Sequence, residues 1–105
     1  MTASAMLLPD IVRHQLYHCQ NAALSIIAQR CNMSVATFKR KLKEYGASYR
    51  ALHEEVQYHQ AIVLLSLAKL SNEKAAKAMH ISDLPNFRRV VKRLTGKTPS
   101  ELRGI

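Results

Sequence analysis

Glycine and proline are scarce in this chain, with three of each among 105 residues, and tryptophan is absent. Loop-rich, collagen-like and intrinsically disordered proteins contain far more of these two residues. Hydrophobic residues make up 48% of the chain, which is enough to fill a packed interior. The composition therefore predicts a folded protein, and the length indicates one domain or two very small ones that share a core.

Long apolar segments are also missing. The longest run, "AIVLLSLA" from Ala61 to Ala68, is far shorter than the roughly 18 residues that a bilayer span needs. The N-terminal stretch "MTASAMLLPDIVR" lacks the charged start and the apolar stretch of a secretion signal. The two cysteines, Cys19 and Cys31, fit a reducing compartment and require no disulfide. We therefore expect a cytoplasmic protein without a membrane span.

Acidic residues are few, with 7 Asp and Glu against 16 Lys and Arg, so the formal net charge is +9. That balance favours a polyanionic partner, either nucleic acid or an anionic membrane surface. The charge is concentrated, because ten of the 16 basic residues lie in two segments, 34–46 and 82–103. These ten are Lys39, Arg40, Lys41, Lys43, Arg88, Arg89, Lys92, Arg93, Lys97 and Arg103.

Helical periodicity dominates the apolar pattern, and no segment alternates like a strand, so we expect an all-α fold of about seven helices. The first helix is expected to open at Pro9 and Asp10, the second to start near Asn21, and the third to run from a cap at Ser34 to a stop at Gly46. A long helix is expected from Tyr49 to Lys69. Ser71 is the expected cap of the fifth helix, Ser82 and Gly96 are the expected cap and end of the sixth, and Pro99 and Ser100 open a final turn or short helix. The residues expected to face inward on the first, second and long helices are Ile11, Val12, Leu16, Cys19, Leu24, Ile27, Ala28, Cys31, Leu52, Val56, Ala61, Leu64, Leu65 and Leu67.

The chain contains an internal repeat. Ala28 lies six residues before Ser34, and Ala76 lies six residues before Ser82; Phe38 and Phe87 follow at similar distances. Each repeat is a short helix, a turn of about three residues and a longer basic helix, which is the arrangement of a helix-turn-helix. We expect residues 1–48 to form a first helix-turn-helix unit, 49–69 a central linker helix and 70–105 a second unit.

The second helix of such a unit packs one face against its own first helix and turns the other toward the DNA major groove, which is about 12 Å wide. Phe38, Leu42 and Phe87 belong to the expected inner faces, with Val90, Val91 and Leu94. Arginine pairs well with guanine and asparagine with adenine, while lysine, serine and threonine suit phosphate. The residues left on the outer faces are Ala36, Lys39, Arg40, Lys43, Asn86, Arg88, Arg89, Lys92 and Arg93.

The same residues carry a family resemblance over nearly the whole chain. "SDLPNFRRVVKRLTGKTPSELR", from Ser82 to Arg103, resembles the motif S-D-x-S-x-F-x-R-x-F-K-R-x-x-G-x-T-P-x-x-Y-R of AraC/XylS-type bacterial transcription regulators. "CNMSVATFKRKLKEYGASY", from Cys31 to Tyr49, resembles that family's earlier S-x-x-x-L-x-R-x-L/F-K-x-x-G-x-S-F segment. The resemblance implies seven helices, with two helix-turn-helix units bridged by a long central helix.

By motif position, the resemblance implies base-reading roles for Ala36, Lys39 and Arg40 in the first unit. In the second unit it implies them for Pro85, Asn86, Arg88 and Arg89. The chain departs from the family pattern in having His80-Ile81 at the second turn, Pro85 for the usual Ser, Val91 for an aromatic residue and Gln57 for an Arg. Proline cannot read a base by hydrogen bonding, and Arg89 has the alternative role of a salt bridge within the fold.

The resulting hypothesis is a sequence-specific double-stranded DNA-binding domain of an AraC-type regulator, with two recognition helices in adjacent major grooves. The expected DNA-binding residues are Ala36, Thr37, Lys39, Arg40, Lys43, Pro85, Asn86, Arg88, Arg89, Lys92, Arg93 and Lys97. RNA polymerase is an expected further partner, and we expect this segment to be monomeric, with no cofactor, metal or catalytic residue. Most members of the family carry a separate effector-binding or dimerisation domain, for which 105 residues leave no room. We therefore expect the chain to be either a stand-alone short member or an excised C-terminal domain.

Four other interpretations are considered. His14 and His18 are four residues apart beside Cys19 and could bind a metal, whereas His53 and His59 are too far apart for a zinc-protease helix. No glycine loop positions a nucleophile for an enzyme. A basic module for a membrane surface or an acidic protein would need an exposed apolar stripe beside the basic one. Cys31 could be a redox sensor, although its place in the repeat favours a core role.

Overall fold

The computed structural model describes residues 7–18 and 23–104. Within these ranges the chain forms seven α-helices and no strand, which confirms the all-α prediction. The helices are α1 (Leu8–His18), α2 (Leu24–Arg30), α3 (Val35–Glu44), α4 (Tyr49–Ala61), α5 (Asn72–Ala78), α6 (Leu84–Thr95) and α7 (Pro99–Arg103), and a π-helical segment (Ile62–Leu67) continues α4. None of the helices in the described ranges is long and apolar enough to cross a membrane.

The chain divides into two compact units, Met1–His53 and Glu54–Ile105, and the boundary falls inside α4. Each unit has its own buried residues, supplied by the apolar stripes of its helices. In the first unit they include Leu8, Pro9, Val12, Leu16, Ile27, Ala28, Phe38, Leu42 and Leu52. In the second they include the cluster of Ala61, Leu65, Ala75, Ala76, Met79, Phe87 and Val91.

Side-chain caps fix the starts of several helices, among them α3, α5 and α6. Ser34 Oγ accepts a hydrogen bond from the Thr37 N–H (3.2 Å), and Ser71 Oγ accepts one from the Lys74 N–H (3.2 Å), as predicted. The prediction that Ser82 caps α6 is wrong, because Asp83 Oδ1 accepts from the N–H of the third helical residue at 3.4 Å. Pro85 explains the shift, since it would occupy the third helical position after Ser82 and has no N–H to donate to that cap.

The long helix departs from its expected form near its C-terminal end. The Ala68 N–H donates to the carbonyl of Val63 at 2.8 Å, five residues back, so the chain follows π-helical rather than α-helical hydrogen bonding there. The wider turn changes which residues face the core. Leu65 is fully buried and Leu64 is partly buried, whereas Leu67 is 73% exposed, so the prediction that Leu67 faces inward is wrong. The helix also ends at Leu67 rather than at Lys69.

The remaining predictions about helix faces hold in part. Val12, Leu16, Ile27 and Ala28 are buried, while Ile11, Leu24 and Cys31 are half-buried. The helix start predicted near Asn21 and the inward position predicted for Cys19 lie outside the described residues. Gly96 adopts a left-handed conformation (φ 77°) after α6, which confirms it as the end of that helix.

Arg103 anchors the short last helix within the second unit. Its guanidinium donates to the backbone carbonyl of Leu70 at 3.0 Å and to Asn72 Oδ1 at 2.8 Å. At the other end of α7, the Thr98 N–H donates to Glu101 Oε1 (2.8 Å) and the Glu101 N–H donates to Thr98 Oγ1 (3.2 Å). The Thr98 hydrogen bonds lower the pKa of the Glu101 carboxyl. Thus Arg103, one of the ten clustered basic residues, has a structural role: it connects α7 to the start of α5 and the residues before it.

Candidate nucleic-acid interface

The turn between α2 and α3 and the turn between α5 and α6 are made in the same way. The Met33 N–H donates to the Ala28 carbonyl at 3.0 Å, and the Ile81 N–H donates to the Ala76 carbonyl at 2.8 Å. The residues before these donors, Asn32 and His80, share a left-handed φ of 58°. The two alanines are buried, as a close approach of the two helices requires. The repeat seen in the sequence is therefore a structural repeat up to the end of the turn.

Helix α6 begins one residue later than the sequence repeat suggested, because its cap is Asp83 rather than Ser82. Counting from the caps Ser34 and Asp83 brings the two basic helices into register. Phe38 then matches Phe87 and Leu42 matches Val91, and all four of these residues are fully buried. The matched pairs are Ala36 with Pro85, Thr37 with Asn86, Phe38 with Phe87, Lys39 with Arg88, Arg40 with Arg89, Leu42 with Val91, and Lys43 with Lys92.

The outer face of α3 presents Lys39, Arg40 and Lys43, all of them exposed. Ala36 is exposed in the first turn, whereas Thr37 is half-buried. The Ser34 hydroxyl donates to Thr37 Oγ1 at 3.0 Å, so the threonine side chain is held against the cap. The expected residues of the first unit thus share one end and one face of a single helix.

The outer face of α6 is more strongly cationic. Pro85, Arg88, Arg89, Lys92 and Arg93 line a shallow depression of about 490 Å³ on its surface. Among the described residues, neither Arg88 nor Arg89 has a carboxylate partner, so the structure gives no support to the alternative of a salt bridge for Arg89. Asn86, in the first turn, is also exposed, and its backbone N–H is held by Asp83.

Three expected DNA-binding residues of the second unit, Lys92, Arg93 and Lys97, differ in whether their side chains have a partner within the protein. Arg93 forms an ion pair with Glu54, a residue 39 positions earlier that helical spacing could not have indicated. Lys92 Nζ donates to the Gly96 carbonyl at 3.2 Å and so also stabilises the end of α6. The Lys97 side chain lies beyond the helix and is exposed. Lys97 is therefore the simplest of the three to interpret by mutation.

Arg50 is a cation near α3 that the sequence analysis did not single out. It lies in the first turn of α4, outside both basic helices. In the structure it lines the same cavity as Lys39 and Lys43, on the side of α3 next to the turn into α4. Only the path of the chain through Gly46 and Ala47 brings it there, so no motif could have indicated it.

The competing interpretations find little support in the described residues. His14 and His18 lie with ring centroids 4.4 Å apart, but the described residues contain no group of three or more potential metal ligands; Cys19 lies outside them. Burial raises the pKa of the Cys31 thiol, which disfavours the reactive thiolate. None of the large exposed hydrophobic residues of the described ranges lies within α3 or α6, and Tyr45 directly follows α3, so neither helix carries an exposed apolar stripe.

The fold and the site define a domain with two helix-turn-helix units, each with a buried aromatic residue on the inner face of its second helix and cations on the outer face. A helix-turn-helix domain family profile of the AraC type matches residues 27–104. The chain belongs to this family, which confirms the resemblance drawn from the two motifs.

Individual relatives are more distant. The chain is 26% identical over 84 residues to the HTH-type transcriptional regulator VqsM of Pseudomonas aeruginosa, covering 80% of this chain and 26% of that protein. It is 29% identical over 76 residues to the ornithine utilization regulator of the same organism, covering 72% of this chain and 22% of that protein. The chain thus spans about a quarter of the length of these relatives.

One solved structure matches almost from end to end. The crystal structure of a DNA-binding transcriptional dual regulator from Escherichia coli K-12 superimposes with a TM-score of 0.85. The match covers 99% of this chain and 96% of that chain at 24% identity. At this identity the likeness shows the fold, and the fold agrees with the family.

Proposed function

We propose that the chain binds double-stranded DNA in a sequence-specific manner, with α3 and α6 as recognition helices that enter major grooves. One observation carries this proposal. Counted from their caps, the two helices have the same buried positions and the same exposed polar and cationic positions. Packing inside each unit explains the buried positions. It does not explain why cations recur at the matched exposed positions, whereas a shared polyanionic partner does.

The proposed roles follow from side-chain chemistry and position. In α3, Ala36, Lys39 and Arg40 face base edges, while Thr37 and Lys43 contact phosphate. In α6, Asn86, Arg88 and Arg89 face base edges, while Lys92, Arg93 and Lys97 contact phosphate. Pro85 takes the position of Ala36 and offers the bases only an apolar contact. Arg93 can reach phosphate only by sharing or leaving its ion pair with Glu54.

The setting of the domain is also proposed. Both relatives are named as regulators, and one of them as a transcriptional regulator. We infer that this chain acts in transcription regulation, without enzymatic activity, in the cytoplasm. RNA polymerase is a proposed partner of the DNA-bound protein, and we expect this segment alone to be monomeric. Size-exclusion chromatography with light scattering, in the presence and absence of DNA, measures the oligomeric state directly.

The proposed mode of binding fixes the size of the DNA site. Two recognition helices in adjacent major grooves are separated by about one turn of DNA, roughly 34 Å. The footprint should therefore cover about two turns on one face of the duplex. Hydroxyl-radical footprinting on a sequence selected from a random pool measures it, and protection of a single turn would mean that only one of the two helices enters a groove.

Base reading and phosphate contact can be separated by mutation. Arg40→Ala should weaken binding most at particular base pairs, by about 1–3 kcal/mol. Lys97→Ala, the comparison variant, should weaken all sequences alike, since phosphate contacts carry no sequence information. Because Pro85 removes one hydrogen-bonding position from α6, we expect the half of the site bound by α3 to be the stricter one.

The measurement is binding of each variant to a full set of single base-pair substitutions of the selected site. Uniform weakening by Arg40→Ala, or strictness confined to the half bound by α6, would mean that the base-reading roles are assigned incorrectly. No binding to duplex DNA by the unmodified chain at low salt would reject the function itself.

A further inference from the structure

The first unit contains a cavity of about 570 Å³ that the proposed DNA contacts do not explain. Its apolar floor and wall come from Leu42, which is fully buried, and from Leu24, Ala47 and Tyr49, which are half-buried. The cavity lies between the start of α2, the second half of α3 and the first turn of α4. Its volume falls within the range of small-molecule sites, and so does its mostly apolar lining.

The rim of this cavity is cationic. Lys39 and Lys43 lie one helical turn apart on α3, and Arg50 lies in the first turn of α4; all three are exposed. None of the described residues that line the cavity is acidic, so the three positive charges are not balanced within it. The start of α4, where Ser48 Oγ accepts a hydrogen bond from the Ala51 N–H (3.1 Å), adds the positive end of a helix dipole.

We propose that this cavity binds a small carboxylate that carries an apolar body, and that its occupation competes with DNA. The apolar body would lie against Leu24 and Leu42, and the carboxylate would pair with Arg50, whose planar guanidinium matches a carboxylate in a bidentate manner. An inorganic anion would leave the apolar floor unused, and a neutral apolar molecule would leave the cations unpaired. The competition rests on the proposed function, because Lys39 and Lys43 also belong to the proposed DNA contacts.

Tyr49 is compatible with an anion at this site. A phenol is protonated at neutral pH, and burial raises the pKa of Tyr49 further, so its hydroxyl adds no negative charge beside the carboxylate. The aromatic residue in the lining favours an aromatic body in the ligand. We therefore choose 2-naphthoate as the probe, 2-naphthalenemethanol as its neutral counterpart and inorganic phosphate as the anion without an apolar body.

The first experiment measures binding of the three probes to the full chain by titration calorimetry in the absence of DNA. We expect 2-naphthoate to bind with one site per chain and at least about tenfold more tightly than either control compound, as loss of a charge-assisted contact implies. Arg50→Gln should weaken naphthoate binding by a similar factor. Lys77→Gln, which removes an exposed cation from α5 in the other unit, should leave naphthoate binding unchanged.

The second experiment fills the cavity without changing its charge. Ala47→Leu places three additional carbon atoms in the lining and should abolish naphthoate binding, whereas Ala51→Leu, at an exposed position of α4 outside the cavity, should not. Circular dichroism and thermal unfolding establish that both variants fold. If Ala47→Leu does not fold, Arg50→Gln and the neutral alcohol decide the question.

The third experiment adds duplex DNA. Naphthoate should lower the DNA affinity of the unmodified chain but not that of Ala47→Leu. Equal binding of naphthoate and phosphate, or no effect of Ala47→Leu on naphthoate binding, would overturn the assignment of the cavity. The assignment would also be overturned if the chain does not bind naphthoate but forms a dimer that the Ala47→Leu substitution dissociates. Unchanged DNA affinity at saturating naphthoate would overturn the competition, whereas naphthoate binding without any DNA binding would support the cavity and reject the proposed function.

Discussion

Phe38 and Phe87 are the largest side chains with complete burial, one in each unit. Each is the fourth residue after the cap of its helix, α3 or α6, and lies on the buried face of that helix, away from the exposed cations. A buried ring of this kind excludes water from the contact between the two helices of the unit and fixes the rotation of the second helix about its axis. The exposed positions of that helix are set as a consequence.

Replacement of either ring by alanine should therefore be costly. We expect Phe38→Ala and Phe87→Ala each to lower the free energy of unfolding by about 3–5 kcal/mol, through lost apolar burial and the cavity left behind. Urea denaturation followed by circular dichroism measures this. Tyr45→Ala is the matched control, because that ring is 50% exposed and should cost much less. A loss below about 1 kcal/mol at either phenylalanine would contradict the assigned helix faces.

The caps of α3 and α6 determine at which residue each helix begins and hence which of its residues are exposed. Ser34→Ala and Asp83→Ala should each destabilise the protein by about 1 kcal/mol, because each removes the acceptor for a first-turn N–H group. Ser82→Ala provides the control within the second unit, and we expect it to change stability by less than about 0.5 kcal/mol. The same denaturation measurement applies. A larger effect at Ser82 than at Asp83 would move the start of α6 back by one residue.

The attachment of α7 rests on the hydrogen bonds that Arg103 donates to Leu70 and Asn72. Arg103→Ala should lower the stability of the second unit by about 1.5–3 kcal/mol, as expected when a charged donor to two partly buried acceptors is lost. Arg88→Ala, which removes an exposed arginine from α6, should change stability by less than about 0.5 kcal/mol. Hydrogen exchange of the α7 amides distinguishes local release of the helix from global unfolding. Equal effects of the two variants would show that Arg103 does not anchor α7.

At the scale of the whole molecule, the net charge of +9 predicts DNA binding that weakens steeply with salt. If about six phosphates are neutralised, the slope of the logarithm of the binding constant against the logarithm of the salt concentration should be near −5. Titration of the selected duplex in rising KCl measures the slope. Lys97→Ala should make the slope shallower by about 1. A binding constant that does not change with salt would contradict a contact made through phosphates.

Local sequence patterns were sufficient to predict the class of the protein. Helical periodicity, the scarcity of glycine and proline, and two short segments with matched spacing were enough for the all-α fold and the double helix-turn-helix. These patterns predict the fold because the hydrogen bonds of a helix and the burial of its apolar stripe involve residues that are close in the sequence. The caps Ser34 and Ser71 and the helix end at Gly96 were predictable for the same reason.

The structure was needed where local signals compete or where distant residues meet. Ser82 and Asp83 are both good caps, and the structure shows that Asp83 is the one used. Leu67 fits an α-helical stripe, but the π-helical turn leaves it exposed. The ion pair of Arg93 with Glu54 and the cavity that Arg50 joins depend on chain paths that carry no sequence period. Spacing along the chain sets which residues share a helix face, and folding alone sets what lies opposite that face.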